Sequence, residues 1–282
     1  MVTGTGPVGS RGKILVVALV ALVLLAGCAT LVGDDGGGQG VDGSHSADEG
    51  TGDVDGELAG DVDSFDYPAG YDADGVDDGH RALEAYESAL LAAGTFEGAY
   101  RYVATTEDGE TAVSVEYAVD FDQERALQHV SIEAPDGDVT TDAYYADGQL
   151  HQRSSFGDVD SDVTVEDEPF PEEGLTAAEA VGPLLTNATG YDVTVDELDG
   201  DVVAIYETDD LAGGEALLGV EAAENVTDFE ARFVVDERGV VRESTYTVTY
   251  DHDGRERIAE LSFEVSALGG PTVVRPDWAD EA

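Results

Sequence analysis

Ala112-Val113-Ser114-Val115-Glu116-Tyr117-Ala118-Val119-Asp120-Phe121 is the stretch that decides the fold. Its larger apolar side chains fall on every second residue, with small or charged ones between. A strand points successive side chains to opposite faces, so this pattern describes a strand with one buried and one solvated face. Phe229, Ala231, Phe233 and Val235 repeat the pattern, as do Tyr246, Val248 and Tyr250, and Leu261, Phe263 and Val265. Asp108-Gly109, Asp136-Gly137, Asp147-Gly148 and Asp253-Gly254 lie between such runs. Asp-Gly supplies the positive φ that tight hairpin turns need. The expected sheet is an antiparallel meander of about eight to ten strands, each with one apolar face.

Outward from the strands, the period changes. Leu83, Tyr86 and Leu90 recur at helical spacing with Ala82, Ala85, Ala89 and Ala93 beside them. Asp77 or Asp78 can cap this run and Gly94 can end it, which predicts a helix over 79–93. Thr176-Ala177-Ala178-Glu179 has the spacing of a capping box and predicts a second helix to about 188, kinked or shortened at Pro183. Residues 212–224 form a weaker helical pattern. The fold class that follows is α+β: a long antiparallel curved sheet with helices covering its apolar face.

Residues 29–76 are rich in Gly and Asp and poor in large apolar groups. They read as a tether, because they bury too little to offset the entropy of ordering. Phe65-Asp66-Tyr67-Pro68 and Tyr71, near its end, can dock onto the body. Before the tether, Arg11 and Lys13 precede an apolar run of 13 residues, Ile14–Ala26, and then Leu25-Ala26-Gly27-Cys28. A positive start, a short apolar core and small residues describe a secretory signal. Leu-Ala-Gly-Cys resembles a lipobox, with cleavage between Gly27 and Cys28 and lipid on the Cys28 thiol. Cys28 is the single cysteine of the chain. The division expected is 1–27 signal peptide, 28–76 anchored tether and 77–282 folded domain. The competing reading is an uncleaved membrane helix, since Ile14–Val32 is 19 residues and about 20 span a bilayer. Both place the domain at the outer face of the membrane. The two asparagines, Asn187 and Asn225, both lie in glycosylation sequons, Asn187-Ala188-Thr189 and Asn225-Val226-Thr227.

The 282 residues carry 63 Asp and Glu against 12 Lys and Arg, a net charge of −51. From Cys28 onward there is no lysine at all. Such a surface excludes nucleic acid as a partner, because phosphate binding needs basic patches. It repels itself in dilute buffer and is screened within about 3 Å in 1 M salt. The composition resembles that of proteins from salt-in halophilic archaea. Acidity of that origin says nothing about catalysis at any one carboxylate.

No motif supports an enzyme. Gly4-Thr5-Gly6-Pro7-Val8-Gly9 has dinucleotide-site spacing but no strand before it. His45, His80, His129, His151 and His252 are scattered and read as solvated or strand-face residues. Asp72-Ala73-Asp74-Gly75-Val76-Asp77-Asp78 lacks the closing Glu of a calcium loop, and no metal or cofactor is expected. Trp278 is expected to pack the tail onto the domain.

Tyr67-Pro68-Ala69-Gly70 with Gly75-Val76-Asp77 and the following helix resembles an uncharacterised haloarchaeal membrane lipoprotein family. So do Phe233-Val234-Val235-Asp236-Glu237-Arg238-Gly239-Val240-Val241 and Pro276-Asp277-Trp278-Ala279-Asp280-Glu281-Ala282. The resemblance covers most of residues 65–282. That family is distantly similar to the LolA/LppX lipoprotein carriers, where Pro-Gly is usual in place of Pro68-Ala69-Gly70. The resemblance implies a half-open barrel with a helical lid that shelters acyl or isoprenoid chains, and no catalytic residue. The residues expected to line such a cleft are Tyr117, Phe121, Phe233, Tyr246, Tyr250 and Phe263. An envelope structural or interaction protein with a closed core is the alternative.

Overall fold

A computed structural model describes residues 62–105, 109–157, 159–212, 226–252, 254–270 and 272–281. The signal segment, Gly27, Cys28, most of the tether, residues 213–224 of the third helical pattern and Asn225 lie outside the described residues.

The predicted first helix, α1, runs Gly79–Ala93. Asp78 caps it by accepting from the Arg81 N–H at 3.2 Å. Gly94, at φ 75°, ends it with its N–H on the Leu91 carbonyl. Ala82, Tyr86 and Leu90 form the buried stripe. The second helix, α2, runs Ala178–Asn187 and continues through Pro183. Its expected capping box does not form. Ala177 is the N-cap, in a left-handed conformation with no side-chain cap. Thr176 is buried, its hydroxyl donates to the Glu173 carbonyl at 2.9 Å and its own carbonyl accepts from Tyr86 at 2.7 Å. The Glu179 carboxyl that would complete the box instead accepts from Tyr117 of the sheet.

Two short strands, β1 (Tyr71–Asp72) and β2 (Gly75–Val76), form a hairpin before α1. Residues 62–76, placed in the tether by composition, hold two core aromatics, Phe65 and Tyr71. The main sheet begins with a meander: β3 (Thr95–Thr105), β4 (Glu110–Asp120), β5 (Arg125–Glu133), β6 (Val139–Ala146) and β7 (Gln149–Phe156). Short β8 (Val159–Asp160) and β9 (Thr164–Asp167) pair with opposite ends of β7. After α2 comes β10 (Ala188–Thr189), followed by β11 (Asp192–Leu198), β12 (Asp201–Thr208) and β13 (Asp210–Leu211). Then come β14 (Val226–Asp236), β15 (Val241–His252) and β16 (Arg255–Leu268). The order across the sheet is β11-β12-β14-β15-β16-β3-β4-β5-β6-β7-β8, antiparallel throughout and not closed. Register shifts within β14/β15 and β16/β3 mark bulges, which bend a sheet. β10 pairs with β13 apart from it.

The fold class is therefore the expected one. Asp147 and Gly148, both at positive φ, make the β6–β7 turn, and Asp199-Gly200 makes the same kind of turn between β11 and β12.

The helices lie on the concave face. They approach each other closely because two contact positions lack side chains. A Cβ on Gly79 would stand 2.3 Å from the Leu185 carbonyl oxygen, and one on Gly182 would meet Leu83 at 3.2 Å. On the convex face the segment 272–281 forms a strap. Val273, Trp278 and Ala279 pack there with Tyr144 and Ala146 into a second, smaller core, as expected for Trp278.

Candidate functional site

Directly paired residues in an antiparallel ladder share a face. Following the register from strand to strand gives one apolar row on the concave face: Tyr246, Leu261, Tyr102, Val113, Ile132, Val139, Phe156, Val159. It crosses eight strands, β15 to β8, about 34 Å at the usual inter-strand spacing. Tyr246 and Leu261 are buried at one end, Tyr102, Val113 and Val139 are half-buried, and Ile132 is buried among them. At the other end Phe156 is 54% and Val159 71% exposed. The neighbouring row is Ser244, Phe263, Tyr100, Val115, Val130, Thr141, Ser154. It turns polar at β6 and β7. Near β7 the apolar track is thus one residue wide, and it broadens toward the helices.

The six residues expected to line a cleft divide among separate neighbourhoods. Phe233 stacks on Tyr206 at 4.7 Å, with Tyr71 and Tyr191 against the pair. Tyr71 reaches this cluster from the β1–β2 hairpin. Its hydroxyl and that of Tyr191 are buried without a hydrogen-bond partner. Burial, and then Tyr191, push the Tyr71 phenol upward. Phe263 meets Tyr86 of α1 edge-on at 6.3 Å. Tyr117 lies beside Tyr100 at 6.2 Å and donates to Glu179 of α2 at 3.4 Å. Tyr246 stands in the apolar row, and half-buried Tyr250 pairs across to Arg257, a buried arginine. Phe121 sits in the turn after β4, stacked on Phe96 at 5.9 Å and edge-on to Phe170. Alternation fixed the face of each residue, but strand order decided its neighbours. Tyr100 and Tyr102, both missed, were visible as period-two positions in Thr95–Thr105. Tyr71 was expected to dock onto the body, though not at this cluster, and Tyr191 lies outside any periodic run and gave no signal.

Glu179 is the carboxylate of the concave side. Water reaches this exposed side chain, yet protein crowds it on most sides. Burial raises its carboxyl above the ordinary range against its own backbone N–H and the Tyr117 hydroxyl, and the Glu87 charge adds to the rise. Burial also raises Glu87, against the Thr176 hydroxyl, with Glu173 and Glu84 contributing.

The convex face differs in kind. Grooves of about 400 Å³ and 380 Å³ lie there, the first lined by Glu207, Glu230 and Arg232, the second by Glu97, Glu116, His129 and Glu264. His129 Nδ1 lies 2.6 Å from Asp142, which also accepts from Arg153 at 2.8 Å. Among the described residues no group of three or more His, Cys, Asp or Glu side chains could hold a metal. None of their helices is long and apolar enough to cross a membrane. Asn187 ends α2 with its side-chain nitrogen donating to the Pro183 carbonyl at 2.7 Å and to Thr186 at 2.8 Å.

One family pattern runs through this whole body, matching residues 13–282. The chain belongs to the family of unknown function DUF7537. It is similar in structure to LprF from Mycobacterium bovis, at 10% identity and a TM-score of 0.37, over 70% of this chain and 96% of that one. It is also similar to a putative outer membrane lipoprotein-sorting protein domain from Vibrio parahaemolyticus, at 9% identity and a TM-score of 0.23, over 68% and 92%. Likenesses of this strength say nothing about ligand or activity for this DUF7537 chain. No curated protein matches it.

Proposed function

We propose that this chain is an envelope lipoprotein, fastened to the outer face of the membrane by lipid on Cys28, that binds a lipid or other hydrophobic ligand along its concave sheet. The observation that carries the reading is the apolar row from buried Tyr246 to exposed Phe156 and Val159. An apolar row that leads from the buried core out to side chains left in water marks a place where something apolar is received. The narrow end at β7 fits a single extended chain, and Glu179 with Tyr117 offers a polar head group one partner. The lipobox at Leu25–Cys28 supports the anchor, and the lysine-free acidic surface supports a concentrated-salt exterior. Of the two sequons, Asn187 has its nitrogen already engaged within α2, which leaves Asn225 as the better acceptor.

A second reading rests on a specific observation. Tyr117, Phe233, Tyr246 and Phe263 are each no more than 5% exposed, as in a closed core that serves only as a scaffold for envelope contacts. Native mass spectrometry of protein purified in high salt, followed by lipid extraction, separates the two. Under the binding reading an apolar mass accompanies the protein and is lost in Val113→Glu and Phe156→Asp. A bare chain, together with unchanged melting of both variants when lipid is added, supports the scaffold. Cys28→Ser should release the protein into the medium; retention on membranes would favour the uncleaved helix.

A further inference from the structure

His151 lies on the convex face, beneath the strap. It is paired across the sheet with Tyr144 and Val165, and its ring is 6.0 Å from that of Tyr144. The side chain is only 6% exposed, and its Nδ1 is buried without a hydrogen-bond partner. The ring is close to the protein surface, with the Ala279 carbonyl of the strap against it. Arg275 closes the strap on itself through Asp280 at 2.7 Å and the Ala279 carbonyl at 2.9 Å. Arg275 also lies over Tyr144 at 5.6 Å, and Arg153 lies over Trp278 at 5.0 Å. The small core around Trp278 adds to the attachment.

We propose that His151 is a proton-operated latch for this strap: neutral imidazole lets residues 272–281 seat, and imidazolium lifts them. Protonation places a second cation beside Arg275 and gives the ring a buried N–H with no acceptor, which is costly away from water. The charged groups around the ring do not compensate. Asp280 acts on it but is already bonded to Arg275. On the adjoining strands Asp142 is held by Arg153 and His129, and Asp167 of β9 accepts from Gln149. Burial, then Arg275, lower the His151 pKa, against Asp280 and the Ala279 carbonyl. A histidine depressed in the folded state gives stability that is complete at high pH. That stability declines as pH falls through the ordinary value of about 6.5 toward the depressed one. The open strap uncovers Tyr144, Ala146 and Leu127, an apolar surface distinct from the concave row.

Trp278 is the single tryptophan of the chain, so its fluorescence reads the strap directly. In molar salt, acrylamide quenching of the full chain should rise as pH is lowered from 8 to 5. The midpoint should lie below about 6.5, while far-ultraviolet circular dichroism stays native. His151→Gln should abolish the transition and His129→Gln should retain it. An NMR titration of the His151 ring in the unaltered chain should give the same midpoint, which makes the test independent of how the variants fold. A ring that titrates at or above 6.5, a Trp278 that stays protected to pH 5, or a transition that survives His151→Gln would each overturn the proposal.

Discussion

Replacing Gly79 by alanine tests how the helical cover is held. In a free helix the exchange is favourable by roughly 0.5–1 kcal/mol, because glycine loses more freedom on folding. Here the added methyl would stand 2.3 Å from the Leu185 carbonyl oxygen and 2.9 Å from the Leu185 carbonyl carbon and Thr186 Cα. All three are backbone atoms, so no side-chain rotation relieves the contact and the end of α2 must move. Overpacking of this kind costs about 1–3 kcal/mol, which leaves a net destabilisation of up to about 2.5 kcal/mol. For a body of this size that lowers the melting temperature by up to about 10 °C. Thermal melts followed by circular dichroism in molar salt measure it. Gly270→Ala, with nothing within 4 Å of the new carbon, is the control and should melt no lower than the parent. A Gly79→Ala protein melting at or above the parent would show that α1 and α2 are not pressed together as described.

Glu179→Gln should flatten the dependence of stability on pH. A carboxyl raised in the folded state stabilises below its ordinary value of 4.5 and loses that contribution as pH rises through the raised value. The variant should therefore gain on the parent toward neutrality in melts from pH 4 to 7, and parallel curves would count against the crowding described for this residue. Asp236→Ala should cost about 2–4 kcal/mol in denaturant unfolding, because it removes a buried carboxylate and leaves its backbone N–H donors without an acceptor. Asp236 accepts the Arg238 and Val240 N–H groups and lies 3.5 Å from largely buried Arg242. Asp201→Ala, at a half-exposed site on the same arginines, should cost less than about 1 kcal/mol. Dilution from molar salt should unfold the body as screening lengthens from about 3 Å to 8 Å, and native circular dichroism in dilute buffer would contradict the charge argument.

Much of the architecture was legible in local pattern. The helix at 79–93 announced both ends, because Asp78 and Gly94 satisfy its terminal groups with atoms close in sequence. The Asp-Gly pairs announced hairpins for the same reason, although Asp199-Gly200 escaped notice between less regular runs. The capping box at Thr176 did not form: its hydroxyl donates back to the Glu173 carbonyl, and the Glu179 carboxyl accepts from Tyr117, 62 residues away. The candidate site was legible only as a face. Period-two alternation put Tyr117, Phe233, Tyr246 and Phe263 inside, but it carries no record of which strand follows which. The row through Leu261, Tyr102 and Val113 exists only because β16 pairs with β3. The buried state of His151 depends on a strap more than 120 residues further along the chain.

That same β16–β3 seam governs how the polypeptide must be made. Tyr102 and Leu261, partners across it, are 159 residues apart. The meander β3–β7 can assemble as it emerges during synthesis, but the outer rim of β3 then carries open donors and acceptors until the last long strand arrives. Unpaired rims invite strangers of the same kind. A nascent copy is thus most vulnerable in its middle age, when half a sheet is built and the piece that seals it has not yet been translated.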